Sequence, residues 1–460
     1  MKIAMLVDTF PEISETFVLR QVVELIDRGY EVDIYADAAP EHWYSGDRWR
    51  EDEGARRKIH SAYTQPEIAT HRLLENIRYA RMPIESLFEQ PVYPLLTGKT
   101  WAGDRSVLNW TRLLRVVPVL LRCSYRAGLM LTATTLRSSH YHFHATSLSA
   151  LYRLDALCRA GKQYDIIHAQ FGPIAARNRF ARTLWKAPLV ANFRGYDFSS
   201  FPRANGRTYY KRLFEDIDAA VTDNEYAREK VVELGCAGHK TYTIPSAFDV
   251  NHFQYREHVY TPGEPVNLLS VARLVEKKGL EYSIRALSCV TQDFPQLRYD
   301  IIGDGPLQRS LNELVKSLGL EGKVVFHGAR DKEFVREKMH AAHILLFTSV
   351  TAQNGDQEGQ GVVLQEAQAS GLPVIVSKHG GLPESILPGK SGLLVPERDT
   401  EAIASQLRFL LENPDMWKKM GEEGRDFVEK NFSSVKINQK WDALYSGLIA
   451  RFHNTSPDIN

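Results

Sequence analysis

"KIAMLVDTFPEISETFVLRQVVELIDRGYEVDIYA" (residues 2–36) decides the fold class. After Lys2 the first run is apolar to Val7 and stops at Asp8, the pattern of a strand covered on both faces. "SETFVLRQVVELIDRG" then spaces its apolar residues at helical intervals and ends at Gly29, a residue suited to closing a helix. "EVDIYA" supplies a second strand. Strand, helix and strand with short connections open a parallel, doubly wound sheet.

The same rhythm returns in "YDIIHAQFG" (164–172), "PLVANFRGYD" (188–197) and "DAAVTDNE" (218–225). A turn-rich segment, "IPSAFDVNHFQYREHVYTPGEP" (244–265), separates these from a second series: "VNLLSVARL", "RYDIIGDGP", "KVVFHGA", "HILLFTS" and "LPVIVSKHGG". With 460 residues the chain is too long for one ordinary core. The reading is α/β, with two Rossmann-like domains: residues 1–248, then 249–430, followed by a C-terminal helix (431–460) expected to cross back to the first.

Between about 40 and 160 the rhythm is lost. "SVLNWTRLLRVVPVLLRCSYRAGLMLTATTLRSSHYHFHATSLSALYRL" carries six arginines and no Asp or Glu from 106 to 154. This helical, basic and apolar insertion either lies on an anionic membrane surface or packs on the sheet with its arginines solvated. Pro118 and Gly128 interrupt its amphipathic pattern.

Composition narrows the classes. Hydrophobic residues make up 43% and charged residues 25%, as in a soluble globular protein, and the formal charge of +1 gives no reason to expect nucleic acid. The four cysteines have no CxxC spacing and read as reduced thiols of a cytoplasmic protein. The N-terminus lacks a signal-peptide pattern and no run is long enough to span a bilayer.

In doubly wound sheets ligands bind at the carboxyl ends of strands, so the polar residues there are the candidates. Ser14 and Thr16 can cap the first helix. Arg273, Lys277 and Lys278 follow the first strand of the second domain, where cations can neutralise a diphosphate, or simply form a solvated loop. "IIGDGP" makes a glycine turn through Gly303 and Asp304, a weak signal by itself. His168 and Gln170 end one strand, Arg194 and Asp197 the next. In "HYHFH", His140, His142 and His144 alternate as ligands on a strand would, without a supporting carboxylate nearby, and metal binding is not expected.

"GDQEGQGVVLQEAQASG" (355–371) holds Glu358 and Glu366. On an ideal helix eight residues separate them by about 80° and about 12 Å. They can touch two ends of an extended ligand but cannot share a proton as a close dyad. Gly361 and the N–H groups of Val362, Val363 and Leu364 make a helix start suited to phosphate.

Taken in this order, "SVARLVEKKGLEYSIRAL", "IIGDGPLQRSLNELVKSLGL", "VVFHGA", "EGQGVVLQEAQASGLPVIVSKHGGLPE" and "GLLVPERD" resemble the donor half of retaining GT4-family glycosyltransferases, including their E-x7-E element. "FPEISETFVLRQV", "DIIHAQFGPIAA" and "FRGYDFS" resemble the acceptor half of the branch that builds bacterial exopolysaccharides. The resemblance implies a GT-B fold, two Rossmann-like domains facing a cleft that closes over substrate.

It also implies roles. Arg273 and Lys278, with Gly303, Asp304 and the backbone of Gly361 to Leu364, would hold the donor; Glu366 would take the ribose and Glu358 the transferred sugar. Ser14, Glu15, Thr16 and Asp197 would meet the acceptor. Arg194 stands where the family's motif has a histidine, and a guanidinium does not serve as base at neutral pH; His168 is the neighbouring alternative, and Arg194 suits an acceptor phosphate or hydroxyls. Ser246–Ala247 stands where Asn-Gly is usual. The expected reaction moves a hexose from a UDP- or GDP-sugar to a lipid-linked oligosaccharide at the cytoplasmic membrane face, without cofactor or metal. Two rival readings are a nucleotide-sugar 2-epimerase, which would act on a UDP-sugar without acceptor, and a non-catalytic sugar-binding scaffold, which would bind donor without turnover.

Overall fold

The computed structural model describes residues 1–10, 16–38, 110–146, 148–261 and 263–455. These fall into two compact units. The first comprises Met1–Thr222, Lys230–Tyr242 and Trp441–Asn460; the second comprises Asp223–Glu229 and Thr243–Lys440.

Among the described residues the first unit has six strands: β1 (Lys2–Thr9), β2 (Glu31–Ala38), β3 (Ile166–Ala169), β4 (Leu189–Phe193), β5 (Ala219–Thr222) and β6 (Thr241–Thr243). They lie in the order β2-β1-β3-β4-β5-β6. Ile3 of β1 pairs in parallel with Val32 on one side and Ile166 on the other. Ile3 through Val7 are buried, as are all of β3 and β4, which is why these strands read as unbroken apolar runs. The helix Thr16–Asp27 ends as its sequence implies: Gly29 takes φ +86° and Tyr30 N–H donates to Leu25 O at 3.1 Å.

From 110 the insertion is helical, with helices Trp110–Ala127, Leu129–Thr135 and Ser149–Ala160 and two short ones between; its part from 40 to 109 lies outside the described residues. Pro118 sits inside the first of these helices, whereas Gly128, at φ +86°, divides it from the next. Arg122 pairs with the buried Asp155, and Arg126 donates to Cys158 O at 2.9 Å. These arginines therefore pack the insertion together, while Leu121, Tyr125, Leu129 and Met130 are exposed.

The C-terminal residues complete this unit. Tyr445 and His168, both fully buried, share a hydrogen bond of 2.7 Å, and Trp441 lies 4.9 Å from the His168 ring. Asp442 accepts from Arg28 at 2.5 Å and from Tyr30 at 2.7 Å.

The second unit carries β7 (Val266–Val271), β8 (Leu297–Ile302), β9 (Val324–Phe326), β10 (Ile344–Phe347), β11 (Val374–Ser377) and β12 (Gly392–Val395). Their order is β12-β11-β10-β7-β8-β9. Alternation along the strands feeds two cores. Leu268, Ile301 and Leu346 face the helices Leu280–Val290 and Thr400–Glu412, whereas Leu269, Ile302 and Leu345 face the helices Lys332–Ala341 and Val362–Ala369. The strand order reverses between β7 and β10, and such a reversal is where doubly wound sheets take ligands. The edge strands β6 and β12 have no counterpart among the sequence-read strands, because both are short and only partly buried.

Removing the phenol oxygen in Tyr445→Phe leaves a buried imidazole nitrogen without its partner. The expected loss is about 1–3 kcal/mol of unfolding free energy, read from denaturant titration.

Candidate functional site

At the reversal point of the second sheet, the chain leaving β7 makes a 3-10 turn, Glu276–Lys278, before the helix Leu280–Val290. Gly279 joins them at φ +59°, where a Cβ would collide with the Thr348 carbonyl just beyond β10. Thr348 Oγ1 donates to Gly279 O at 3.1 Å and Val350 N–H to Lys277 O at 2.8 Å. The loops after the two central strands are thus bound to each other.

The two lysines of the turn meet two carboxylates of the loop that precedes the helix Val362–Ala369. Lys277 Nζ lies 3.0 Å from Asp356 Oδ2, and Lys278 pairs with Glu358, each of the latter side chains being only 13% exposed. Lys278 also lies 4.9 Å over the Phe347 ring. Burial alone would raise the Glu358 carboxyl, but Lys278, with help from Lys277, holds it down at about 2. Burial lowers Lys278 from its ordinary value, against the opposing pull of Glu358.

Glu358 lies ahead of the helix, so ideal helical spacing does not set its place relative to Glu366. Its N–H donates to His379 Nε2 at 2.9 Å, and His379 Nδ1 lies 2.7 Å from Glu397 Oε1. Gln360, on the same loop, accepts from Ser246 N–H at 2.6 Å and donates to Ser246 O at 3.2 Å. Glu366 is half-buried within the helix. Gly361 is that helix's N-cap at φ +69°, and Leu364 N–H already donates to Gly361 O at 2.8 Å, so the helix start offers Val362 and Val363. Arg273 is exposed.

The glycine turn also has a packing cause. Gly303 has φ +141°, and a Cβ there would run into Ala272 O. Leu274 N–H donates to Asp304 O at 2.8 Å, and Asp304 Oδ1 accepts from Gly305 N–H at 2.6 Å. Gly303 and Asp304 serve the packing of the loop after β8 on the loop after β7.

In the first unit the strand ends form a polar chain. Gln170, fully buried, donates to Gln21 Oε1 at 2.8 Å and accepts from Asn192 at 3.2 Å and from Arg194 Nη2 at 3.5 Å. The Arg194 guanidinium lies 3.9 Å over the Phe17 ring. Two expectations are corrected here. His168 does not look outward: it is fully buried against Tyr445 and Trp441, and burial, more than the nearby Arg194 charge, drives its imidazole down to about 3. Asp197 is fully buried too, its Oδ2 accepting from Arg194 N–H at 2.9 Å and Gly172 N–H at 3.3 Å. It fastens the loops after β3 and β4 rather than meeting a ligand. Thr16 opens the helix Thr16–Asp27, and Ser14 and Glu15 lie outside the described residues.

His140, His142 and His144 fall on two short helices and the turn between them, not on a strand. His142 stacks on Tyr209 and His144 bonds Ser149 at 3.0 Å. Among the described residues no group of three or more His, Cys, Asp or Glu is placed to hold a metal ion.

His379, Glu397 and Gln360 were not singled out from the sequence. The first was findable, since "VSKHGG" places it two residues beyond β11, at the carboxyl edge where ligands are sought.

Comparison with known proteins fits this arrangement. The sequence profile of Glycosyl transferases group 1 matches residues 253–427, and that of Glycosyl transferase 4-like domain matches residues 123–247. The chain is 30% identical over 417 residues to the amylovoran biosynthesis glycosyltransferase AmsK of Erwinia amylovora, covering 88% of this chain and 90% of AmsK. It is 29% identical over 455 residues to the colanic acid biosynthesis glycosyltransferase WcaL of Escherichia coli (strain K12), covering 97% of this chain and all of WcaL. Among solved structures, HepE of Anabaena, in complex with UDP, shares the fold at TM-score 0.64 and 18% identity, over 97% of this chain and all of HepE. The switch-point lysines and the spaced glutamates therefore sit in a glycosyltransferase: the chain belongs to the glycosyl transferases group 1, enzymes of the GT4 family and the GT-B fold.

Proposed function

We propose that the chain moves a hexose from a nucleotide sugar onto a lipid-linked oligosaccharide in polysaccharide biosynthesis, with retention of configuration and without a metal ion. The observation that carries this reading is the Lys278–Glu358 pair at the point where the second sheet reverses. Glycosyl transfer expels a nucleoside diphosphate, and fixed cations beside helix N-termini stabilise the charge that develops on it. Lys278 and the exposed Arg273 supply cations, and the helices Leu280–Val290 and Val362–Ala369 begin beyond the two central strands. Those groups do the work a divalent ion would otherwise do.

Glu358, kept ionised by Lys278, contacts the transferred sugar. Glu366 takes the ribose hydroxyls and the Val362 and Val363 N–H groups take phosphate. With its carboxyl held down at about 2, Glu358 is not a general acid near neutral pH; it orients hydroxyls and offsets developing positive charge at the sugar. The departing phosphate, on the face from which the acceptor attacks, takes the acceptor proton. Arg194, whose guanidinium lies over Phe17 and reaches Gln170, meets an acceptor phosphate or hydroxyl. The names of WcaL and AmsK support the polysaccharide assignment. The exposed Leu121, Tyr125, Leu129 and Met130, in a stretch without acidic side chains, support contact with an anionic membrane at its cytoplasmic face. No helix among the described residues is long and apolar enough to cross a membrane.

The test is direct. UDP-glucose and GDP-mannose are screened by thermal shift, since a ligand that binds only the folded state raises the melting temperature. Transfer to a lipid-linked acceptor is then followed with the anomer of the product read by NMR. An inverted product overturns the retaining assignment, and full activity after chelation is required of a metal-independent enzyme.

Two predictions concern the ion pair. Glu358→Gln and Lys278→Met should each abolish transfer and each destabilise the fold by about 3–5 kcal/mol, because each leaves one buried charge alone. The double variant should lose less than the sum, as a double-mutant cycle in urea will read. The Glu358→Gln penalty should also depend on pH. The carboxyl is held below its ordinary value of 4.5, so its contribution is complete above that value and fades as pH falls toward about 2. Unfolding free energies of wild type and variant should accordingly converge in acid.

A further inference from the structure

We infer that His379, held by Glu397, is a positioning residue that sets the place of Glu358 for sugar transfer; this rests on the reading of Glu358 as the group that contacts the sugar. His379 is fully buried and so touches no substrate itself. Its Nε2 accepts the Glu358 N–H at 2.9 Å, which requires a lone pair on that nitrogen and puts the ring proton on Nδ1. Nδ1–H then donates to Glu397 Oε1 at 2.7 Å. The other oxygen, Glu397 Oε2, accepts the Thr351 N–H at 2.8 Å.

One carboxylate–imidazole unit thus fixes both ends of the segment from Thr351 to Glu358, which contains neither helix nor strand. Between those ends the segment folds on itself, with Ala352 N–H donating to Asp356 O at 3.0 Å and Gly355 N–H to Ala352 O at 2.8 Å. Burial would raise the Glu397 carboxyl, but the Thr351 N–H and His379 hold it below its ordinary value. As a carboxylate it keeps the imidazole in the tautomer that presents an acceptor to Glu358. The backbone of Glu358 is anchored by His379 and its side chain by Lys278, so the carboxylate has little freedom left when a sugar arrives. Such preorganisation matters for rate more than for binding.

The discriminating variants are His379→Gln and His379→Asn in the full chain. The glutamine oxygen reaches the position of Nε2 and can accept the Glu358 N–H, whereas asparagine ends at the level of Nδ1 and can only meet Glu397. Release of nucleoside diphosphate from UDP-glucose and GDP-mannose, with water standing in as acceptor, gives kcat and KM. Deuterium uptake in 351–361 reports the loop without any donor. His379→Asn should lower kcat about a hundredfold with little change in KM, and raise deuterium uptake; His379→Gln should restore most of both. Glu397→Gln, with one acceptor oxygen for two donors, should behave like His379→Asn. Equal kcat for the asparagine and glutamine variants, equal uptake in the loop, or a loss of stability with kcat retained would each overturn the inference. Wild-type protein that turns over neither donor would instead sink the functional reading, and the positioning role would fall with it.

Discussion

Two ion pairs at the end of a parallel sheet tie together the loops of the second unit. Taking a lysine and a glutamate out of water costs several kcal/mol per ion, a cost recovered only where each finds the other in good geometry. Lys277 with Asp356 and Lys278 with Glu358 meet that condition by stacking two consecutive cations against two acids two positions apart. The geometry depends on details lower down: a 3-10 turn that aims both lysines, and a Gly279 that lets the turn press against the Thr348 carbonyl. The strand order beneath decides that these loops are neighbours at all.

The first unit solves a different problem at the same edge of its sheet. Its strand ends hold amides and a guanidinium joined side by side, from Gln21 through Gln170 to Asn192 and Arg194. Such a chain joins buried neutral amides to a single cation. The second unit instead sets paired ions at its strand ends.

The fold was legible because strands buried on both faces announce themselves as apolar runs, and because Gly29 closes its helix in the ordinary way. The edge strands β6 and β12 escaped, being short and half-buried, with no pattern to show. At the site, residues chosen for lying at strand ends were correctly placed but not always correctly aimed. His168 and Asp197 turn inward because partners distant in sequence, Tyr445 and the Gly172 N–H, claim them. Gly303 also makes room for Ala272 O. Local spacing cannot reveal such partners. The Lys278–Glu358 pair spans 80 positions, and only the family resemblance brought its two ends into one thought.

The bond between His168 and Tyr445 spans 277 positions. A ribosome delivers the first unit's strands long before it delivers the tyrosine that seals them. The amino-terminal core must therefore wait, with an imidazole of β3 unsealed, while the whole second unit is made. Domains usually mature in the order of their synthesis; here the unit begun first receives its last buried partner only at the end of the chain.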